Sequence, residues 1–119
     1  MGTKKSNISF DIELDVNKVP ESIHWTAKDG GVENEEAGAF MISVWDQPKK
    51  ECLRLDLWTK EMSIDDMKRF FHQTILSMAD TLERSTSEEQ VAMKMRQYAH
   101  QFALDVKIVE EVPKSGNKK

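Results

Sequence analysis

The chain contains 119 residues, of which 39% are apolar and 32% are charged. A chain of this length forms about one domain, and the composition is typical of a globular protein, not of a disordered, collagen-like or disulfide-rich one. The apolar runs are only a few residues long, whereas a helix that crosses a bilayer needs about 20 apolar residues. We therefore expect a folded domain that does not insert into a membrane.

Charge and cysteine content indicate which ligands and which cellular compartment to expect. The formal charge is −4, from 17 basic and 21 acidic residues, and five of the lysines lie near the ends of the chain. Residues 6–112 therefore carry 12 basic against 21 acidic side chains, and such a surface repels the phosphates of nucleic acids. The single cysteine, Cys52, has no partner for an internal disulfide, and the first residues show no signal-peptide pattern. We expect a cytoplasmic protein that does not bind nucleic acid.

Two segments near the start of the chain have the residue pattern of β-strands. Apolar and polar residues alternate over 8–14 and again over 23–27, which is the period of a half-buried strand. The glycine pair Gly30-Gly31 and the acidic stretch at 33–36 follow. Glycine pairs and polar clusters are typical of turns, so we expect a loop over this region.

Two later segments, at 39–45 and 52–58, are rich in β-formers and flank a polar stretch at 46–50, which predicts a hairpin with a longer loop. Side chains alternate between the two faces of a strand, so this hairpin presents two different faces. One of them, the leucine face, consists of Phe40, Ile42, Val44, Leu53, Leu55 and Leu57. The other, the tryptophan face, consists of Met41, Ser43, Trp45, Cys52, Arg54, Asp56 and Trp58.

The second half of the chain has the period of helices. A first apolar stripe consists of Met67, Phe70, Phe71, Thr74, Ile75, Met78, Ala79 and Leu82. Ser63 followed by Asp66 resembles a capping box and predicts where this helix begins. A second stripe consists of Val91, Met95, Tyr98, Ala99, Phe102, Ala103 and Val106. Thr86 and Ser87 are candidates for its N-terminal cap, and the short connection predicts antiparallel neighbouring helices.

These elements predict an α+β fold, in which a four-stranded antiparallel sheet is followed by two antiparallel helices packed on one of its faces. The leucine face is expected to meet the helical stripes, with Phe71 in the core. We expect one domain over residues 8–108, between flexible tails at 1–7 and 109–119. The order of elements is similar to that of the export chaperone SecB, which is an analogy of fold alone.

The tryptophan face is more apolar than the solvent-facing side of an antiparallel sheet should be. Tryptophans at a sheet edge can fold over their own loops, and scattered exposed apolar residues need no special explanation. The alternative is an interface, because Trp, Met and Arg are enriched at interface cores. The candidate interface residues are Met41, Trp45, Cys52, Arg54 and Trp58. Self-association into a homo-oligomer is the first expectation for such a face.

The sequence contains no motif that predicts catalysis or cofactor binding. His24, His72, His100 and Cys52 do not occur at the spacing of metal ligands. The Gly30-Gly31 pair lacks the further residues that a phosphate-binding loop requires. We therefore expect a protein that is not an enzyme and that has no cofactor and no metal site.

Several segments together resemble one family. The most specific of them is Met67-Lys68-x-Phe70-Phe71-His72-Gln73-Thr74, followed by Ser77-Met78-Ala79-Asp80-Thr81. The others are the strand at 8–21, Ile23-x-Trp25-x-Ala27, Ser43-Val44-Trp45-Asp46 and the run at 53–60. These segments are similar to the GldC family of gliding-motility proteins of gliding bacteria, over residues 8–102.

The resemblance implies a small cytosolic protein with an accessory role in motility, in bacteria whose motility is tied to a dedicated secretion apparatus. It implies no catalytic activity. Two function classes stay open. The protein could be an adaptor that docks on a motility or secretion component through the tryptophan face or the outer helix surfaces. The alternative is a chaperone-like holder of exported chains, which an oligomer with a groove lined by Met and aromatic residues would favour.

Overall fold

The computed structural model describes residues 2–108 and has an α+β fold, as predicted. The elements in chain order are β1 (Ser9–Leu14), β2 (Pro20–Ala27), β3 (Val32–Ala37), β4 (Ala39–Asp46), β5 (Glu51–Trp58), α1 (Ile64–Thr86) and α2 (Glu89–Asp105). The strands and the helices form two compact units, which divide between Met62 and Ser63. The single domain over 8–108, with its helices packed on the sheet, stays a prediction. The predicted tail at 109–119 lies outside the described residues.

The first three strands form an antiparallel sheet in the order β1-β2-β3. Phe10 and Ile12 of β1 lie opposite Trp25 and Ile23 of β2. Ile23 is fully buried, and the ring of Phe10 stacks on that of Trp25 with centroids 6.2 Å apart. The two-residue period therefore predicted both strands and the side of the sheet that carries the apolar residues.

The prediction of a single four-stranded sheet was wrong, because the acidic segment expected to be a loop is the strand β3. Gly31, with φ at 79°, adopts the left-handed conformation and ends the 3-10 turn Lys28–Gly30 that precedes β3. β3 pairs with β2 through its backbone, so Glu33, Glu35 and Glu36 can stay exposed. Charged side chains are common on an edge strand, since they prevent further pairing. This strand lacks the apolar alternation by which strands are predicted.

The last two strands, β4 and β5, form a separate antiparallel ribbon. Their eight opposed residue pairs run without a bulge, and the predicted hairpin is confirmed. Asp46 closes the turn between them. Its carboxylate accepts a hydrogen bond from the backbone N–H of Lys49 at 3.1 Å, and its carbonyl accepts one from the N–H of Lys50 at 2.8 Å.

A small core joins the ribbon to the three-stranded sheet. Phe40, near the start of β4, is only 7% exposed, and its ring centroid lies 4.6 Å from that of Phe10 in β1. Just after β5, the backbone N–H of Lys60 donates a hydrogen bond to the carbonyl of Pro20 at 3.0 Å. The beginning of β4 and the end of β5 are therefore fixed to the sheet.

Asp15 connects the turn after β1 to the residues that follow β5. Its carboxylate accepts hydrogen bonds from the backbone N–H groups of Asn17 at 2.7 Å and Val19 at 3.0 Å, and from Lys60 Nζ at 2.8 Å. The Lys60 ammonium, followed by the N–H of Val19, lowers the pKa of Asp15 from an ordinary 3.8 to about 2. The Asp15 carboxylate in turn raises the pKa of Lys60. The folded state thus favours the ionised form of Asp15.

This ion pair predicts a specific acid sensitivity. Because the pKa of Asp15 is lower in the folded than in the unfolded chain, its stabilising effect is complete above 3.8 and is lost as the pH falls toward 2. We expect Asp15→Asn to be less stable than the parent at pH 7, and we expect this difference to shrink by pH 2 and to vanish below it. Urea unfolding at a series of pH values measures this difference. Glu21→Gln is the control, since Glu21 lies further from Lys60, at 3.4 Å, and is half exposed. An unchanged gap between Asp15→Asn and the parent at pH 2 would contradict the assignment.

The two helices form an antiparallel pair joined by a two-residue connection. The predicted start of α1 is confirmed, because the hydroxyl of Ser63 accepts a hydrogen bond from the backbone N–H of Asp66 at 3.0 Å. The predicted cap of α2 was wrong. Ser87, with φ at 62°, adopts the left-handed conformation that ends α1, and the residue before α2 is Glu88, which makes no side-chain cap.

The helices pack through a seam of small side chains. The buried residues of this seam are Ala79 of α1 with Ala92, Ala99 and Ala103 of α2. Small residues at a contact let two helix axes come close together. Larger members of the predicted stripes are less covered, since Phe71 is 44% exposed and Met78 is 54% exposed. The prediction that Phe71 is a core residue was therefore wrong, although its ring lies 6.5 Å from that of Phe102.

Candidate interaction surface

The tryptophan face is formed as the residue pattern predicts. The register of the ribbon sets Met41 opposite Asp56, Ser43 opposite Arg54, Trp45 opposite Cys52, and Ala39 opposite Trp58. Opposed residues of an antiparallel pair lie on the same face. All five candidate interface residues, Met41, Trp45, Cys52, Arg54 and Trp58, therefore share one face of one ribbon. Trp45 is 58% exposed and Trp58 is 53% exposed, so neither tryptophan is buried.

The two tryptophans lie at opposite ends of this face. Trp45 is beside the turn, opposite Cys52, and Trp58 is the last residue of β5. Cys52 and Trp58 are six positions apart along the strand, which is about 20 Å at about 3.3 Å per residue. The face thus has an aromatic residue at each end and does not bring both tryptophans into one cluster.

A charged pair occupies the middle of the tryptophan face. Arg54 Nη2 lies 2.9 Å from Asp56 Oδ1, and both side chains keep about half of their surface exposed. An ion pair this exposed adds little to stability. Its position between two aromatic ends gives the face a polar centre.

The leucine face is a feature that sequence reasoning did not recognise as a surface. Its register sets Val44 opposite Leu53, Ile42 opposite Leu55 and Phe40 opposite Leu57. Val44, Leu53 and Leu55 are 54%, 52% and 54% exposed. Alternation in the sequence shows that these side chains share a face. It does not show whether anything covers them.

The second unit offers a groove along α1 and α2. Its walls are Thr74, Ser77, Met78, Thr81, Leu82, Ser85 and Met95, around an open volume of about 430 Å³. Four of these seven side chains carry a hydroxyl group. None of these seven side chains is aromatic.

A charged cluster lies beside the turn of the helical pair. Arg96 of α2 lies 2.8 Å from the carboxylate of Asp80 and 2.7 Å from that of Glu83, both on α1. Asp80, followed by Glu83, raises the pKa of the Arg96 guanidinium. Arg96 thus bridges the two helices, and its positive charge is already paired with two carboxylates.

The described residues contain no group of three or more His, Cys, Asp or Glu side chains that could hold a metal ion. Cys52 is an exposed free thiol. Neither helix within residues 2–108 has the length and apolar character needed to cross a membrane.

Comparison with known proteins identifies one family. A family model described as gliding motility-associated protein GldC-like matches residues 20–108, about three quarters of the chain. The match begins at β2 and includes all later elements, so β1 lies outside it although the motif resemblance began at residue 8. No curated protein matches the chain. No solved structure matches it either.

Proposed function

The chain belongs to the GldC-like family of gliding motility-associated proteins, and from that membership we propose that it is a non-enzymatic, cytoplasmic adaptor that docks on a protein of the motility or secretion machinery. The observation that supports docking is the exposure of Trp45 and Trp58 on one ribbon face. Tryptophan is the residue most enriched among the energetically dominant positions of protein interfaces.

The arrangement of the face suggests what the partner must offer. Trp45 lies beside the exposed Cys52 at one end, and Trp58 stands at the other end about 20 Å away. A matching surface would carry two apolar depressions at that separation. Between them it would need polar groups for Arg54 and Asp56, since burying an unmatched charge is costly.

We predict that Trp45→Ser combined with Trp58→Ser abolishes capture of the partner while the fold stays intact. Truncation of a tryptophan that a partner buries in a pocket costs about 2 kcal/mol or more, which is about 30-fold in affinity for each residue. The measurement is co-purification with the tagged full chain from cells of a gliding bacterium, with captured proteins identified by mass. Circular dichroism and the midpoint of thermal unfolding establish that the variant is folded.

Tyr98→Ser is the matched control, because Tyr98 is also an aromatic side chain, is 58% exposed, and lies on α2 outside the tryptophan face. We expect one or two stoichiometric partners that are kept by Tyr98→Ser and lost by the double variant. The reverse pattern would move the docking site to the helices and contradict the proposal. A broad, substoichiometric set of exported proteins that the double variant still captures would instead indicate the chaperone-like holder.

A further inference from the structure

The outer edge of β5 is open. Within residues 2–108, β5 pairs with β4 and with no other strand. A ribbon of two strands is marginally stable by itself in water, and a strand with a free edge presents a row of unpaired backbone N–H and C=O groups. This ribbon also leaves Leu53 and Leu55 of its leucine face about half exposed. The free edge of β5 can therefore accept a further strand.

Both edge strands of the three-stranded sheet carry features that protect an edge against pairing. β1 has an irregular register between Glu13 and Leu14. β3 carries the exposed side chains of Glu33, Glu35 and Glu36. Bulges and charges are the usual means by which edge strands avoid pairing with another chain. β5 contains no Lys, Pro or Gly and no bulge, and its charged residues, Glu51, Arg54 and Asp56, include both signs.

We propose that β5 pairs with β5 of a second copy of this chain, antiparallel and about a twofold axis at Leu55. In this register Arg54 of each copy lies opposite Asp56 of the other, and the two charge pairs are related by the axis. Arg54 and Asp56 of β5 have opposite charges and are two residues apart. A twofold antiparallel pairing about Leu55 therefore sets each of them against the other. Opposite charges placed directly across two strands stabilise their pairing.

Other registers of the pairing between the two β5 strands are less stable. A shift of one residue sets the tryptophan face of one copy beside the leucine face of the other, since side chains alternate along a strand. A shift of two residues sets Arg54 against Arg54, or Asp56 against Asp56, and like charges directly opposite each other are destabilising. β4 offers no such selection, because its only charged residue is Asp46 at the turn.

The same register matches the apolar side chains. Leu55 lies against Leu55 on the axis, and Leu53 of each copy lies against Leu57 of the other. On the opposite side, Cys52 meets Trp58. The two ribbons become one four-stranded sheet in which each β5 is central, and a closed twofold arrangement of this kind is the commonest form of oligomer. The pairing brings Arg54, Asp56 and Trp58 of the tryptophan face beside the second copy, so pairing is tested by the mass of the purified chain in solution, and docking is tested separately by capture of another protein.

The test is a pair of charge reversals in the full chain. The parent is expected to have a mass in solution of about twice 13.7 kDa, measured by light scattering after size exclusion. Arg54→Asp sets carboxylates against carboxylates across the axis, and Asp56→Arg sets cations against cations. Each variant is expected to weaken self-association about tenfold or more, and both should stay folded because the exposed pair within one chain contributes little to stability.

The matched controls separate pairing from misfolding. An equimolar mixture of Arg54→Asp and Asp56→Arg restores opposite charges at both positions of a mixed dimer, so the mixture is expected to regain the doubled mass. The double variant Arg54→Asp with Asp56→Arg is expected to form dimers by itself. The proposal would be overturned if the parent stays monomeric. It would also be overturned if either charge reversal leaves the dimer unchanged, or if the mixture of the two variants stays monomeric.

Discussion

Replacing Ile23 by alanine is expected to destabilise the strand unit by about 2–5 kcal/mol. Ile23 lies in β2 opposite Ile12 and is the largest side chain that the structure buries completely. Its truncation removes apolar contacts and leaves a cavity in a core that contains few other large residues. Domains are stable by about 5–15 kcal/mol in total, so a loss of this size removes a large part of the stability. Equilibrium unfolding in urea, followed by tryptophan fluorescence, measures it.

Ile8→Ala is the matched control, since it removes the same atoms from a side chain that is 65% exposed. We expect this change to cost well under 1 kcal/mol, within the range of ordinary surface substitutions. Equal effects at the two positions would mean that the core of the first unit does not lie at Ile23.

Replacing Ala99 by leucine is expected to have the second largest effect, about 1–3 kcal/mol. Ala99 is fully buried in the seam between α1 and α2. Three additional carbon atoms cannot fit there unless the helices separate, and separation weakens the contact between Arg96 and Asp80 as well. Thermal unfolding followed by circular dichroism at helical wavelengths measures the loss.

Gln97→Leu serves as the control, because Gln97 is an exposed residue of the same helix and leucine has a similar helix propensity to glutamine. We expect this variant to stay within about 0.5 kcal/mol of the parent. If Ala99→Leu were equally harmless, the helices could not pack through the alanine seam.

Local patterns predicted much of this fold. The cap at Ser63, the strands at β1 and β2 and the hairpin of β4 and β5 all follow from residues that lie close together in sequence. β3 was missed, because a strand that pairs through its backbone on a sheet edge does not need apolar side chains. The side of a strand on which a residue lies could likewise be predicted for all five candidate interface residues, since it depends only on alternation.

Features that depend on distant residues could not be predicted in this way. Asp15 and Lys60 are 45 positions apart, and no periodicity connects them. The helical stripes marked Phe71 and Ala99 as equivalent members, whereas the structure buries the alanine and leaves the phenylalanine 44% exposed. A stripe shows which residues share a face of a helix. Which of them are covered depends on how closely the neighbouring helix approaches.

Because Trp45 and Trp58 are exposed, the tryptophan fluorescence of the chain can report the binding of a partner to this face. These two indoles are in water, whereas Trp25 is partly covered beside Phe10. Emission from exposed indoles lies at longer wavelengths than emission from covered ones, so occupation of either end of the ribbon would shift the spectrum to the blue. The single thiol of Cys52, opposite Trp45, can carry an energy acceptor without any engineered cysteine. Binding at the turn end and at the Trp58 end can then be distinguished in the unmodified sequence.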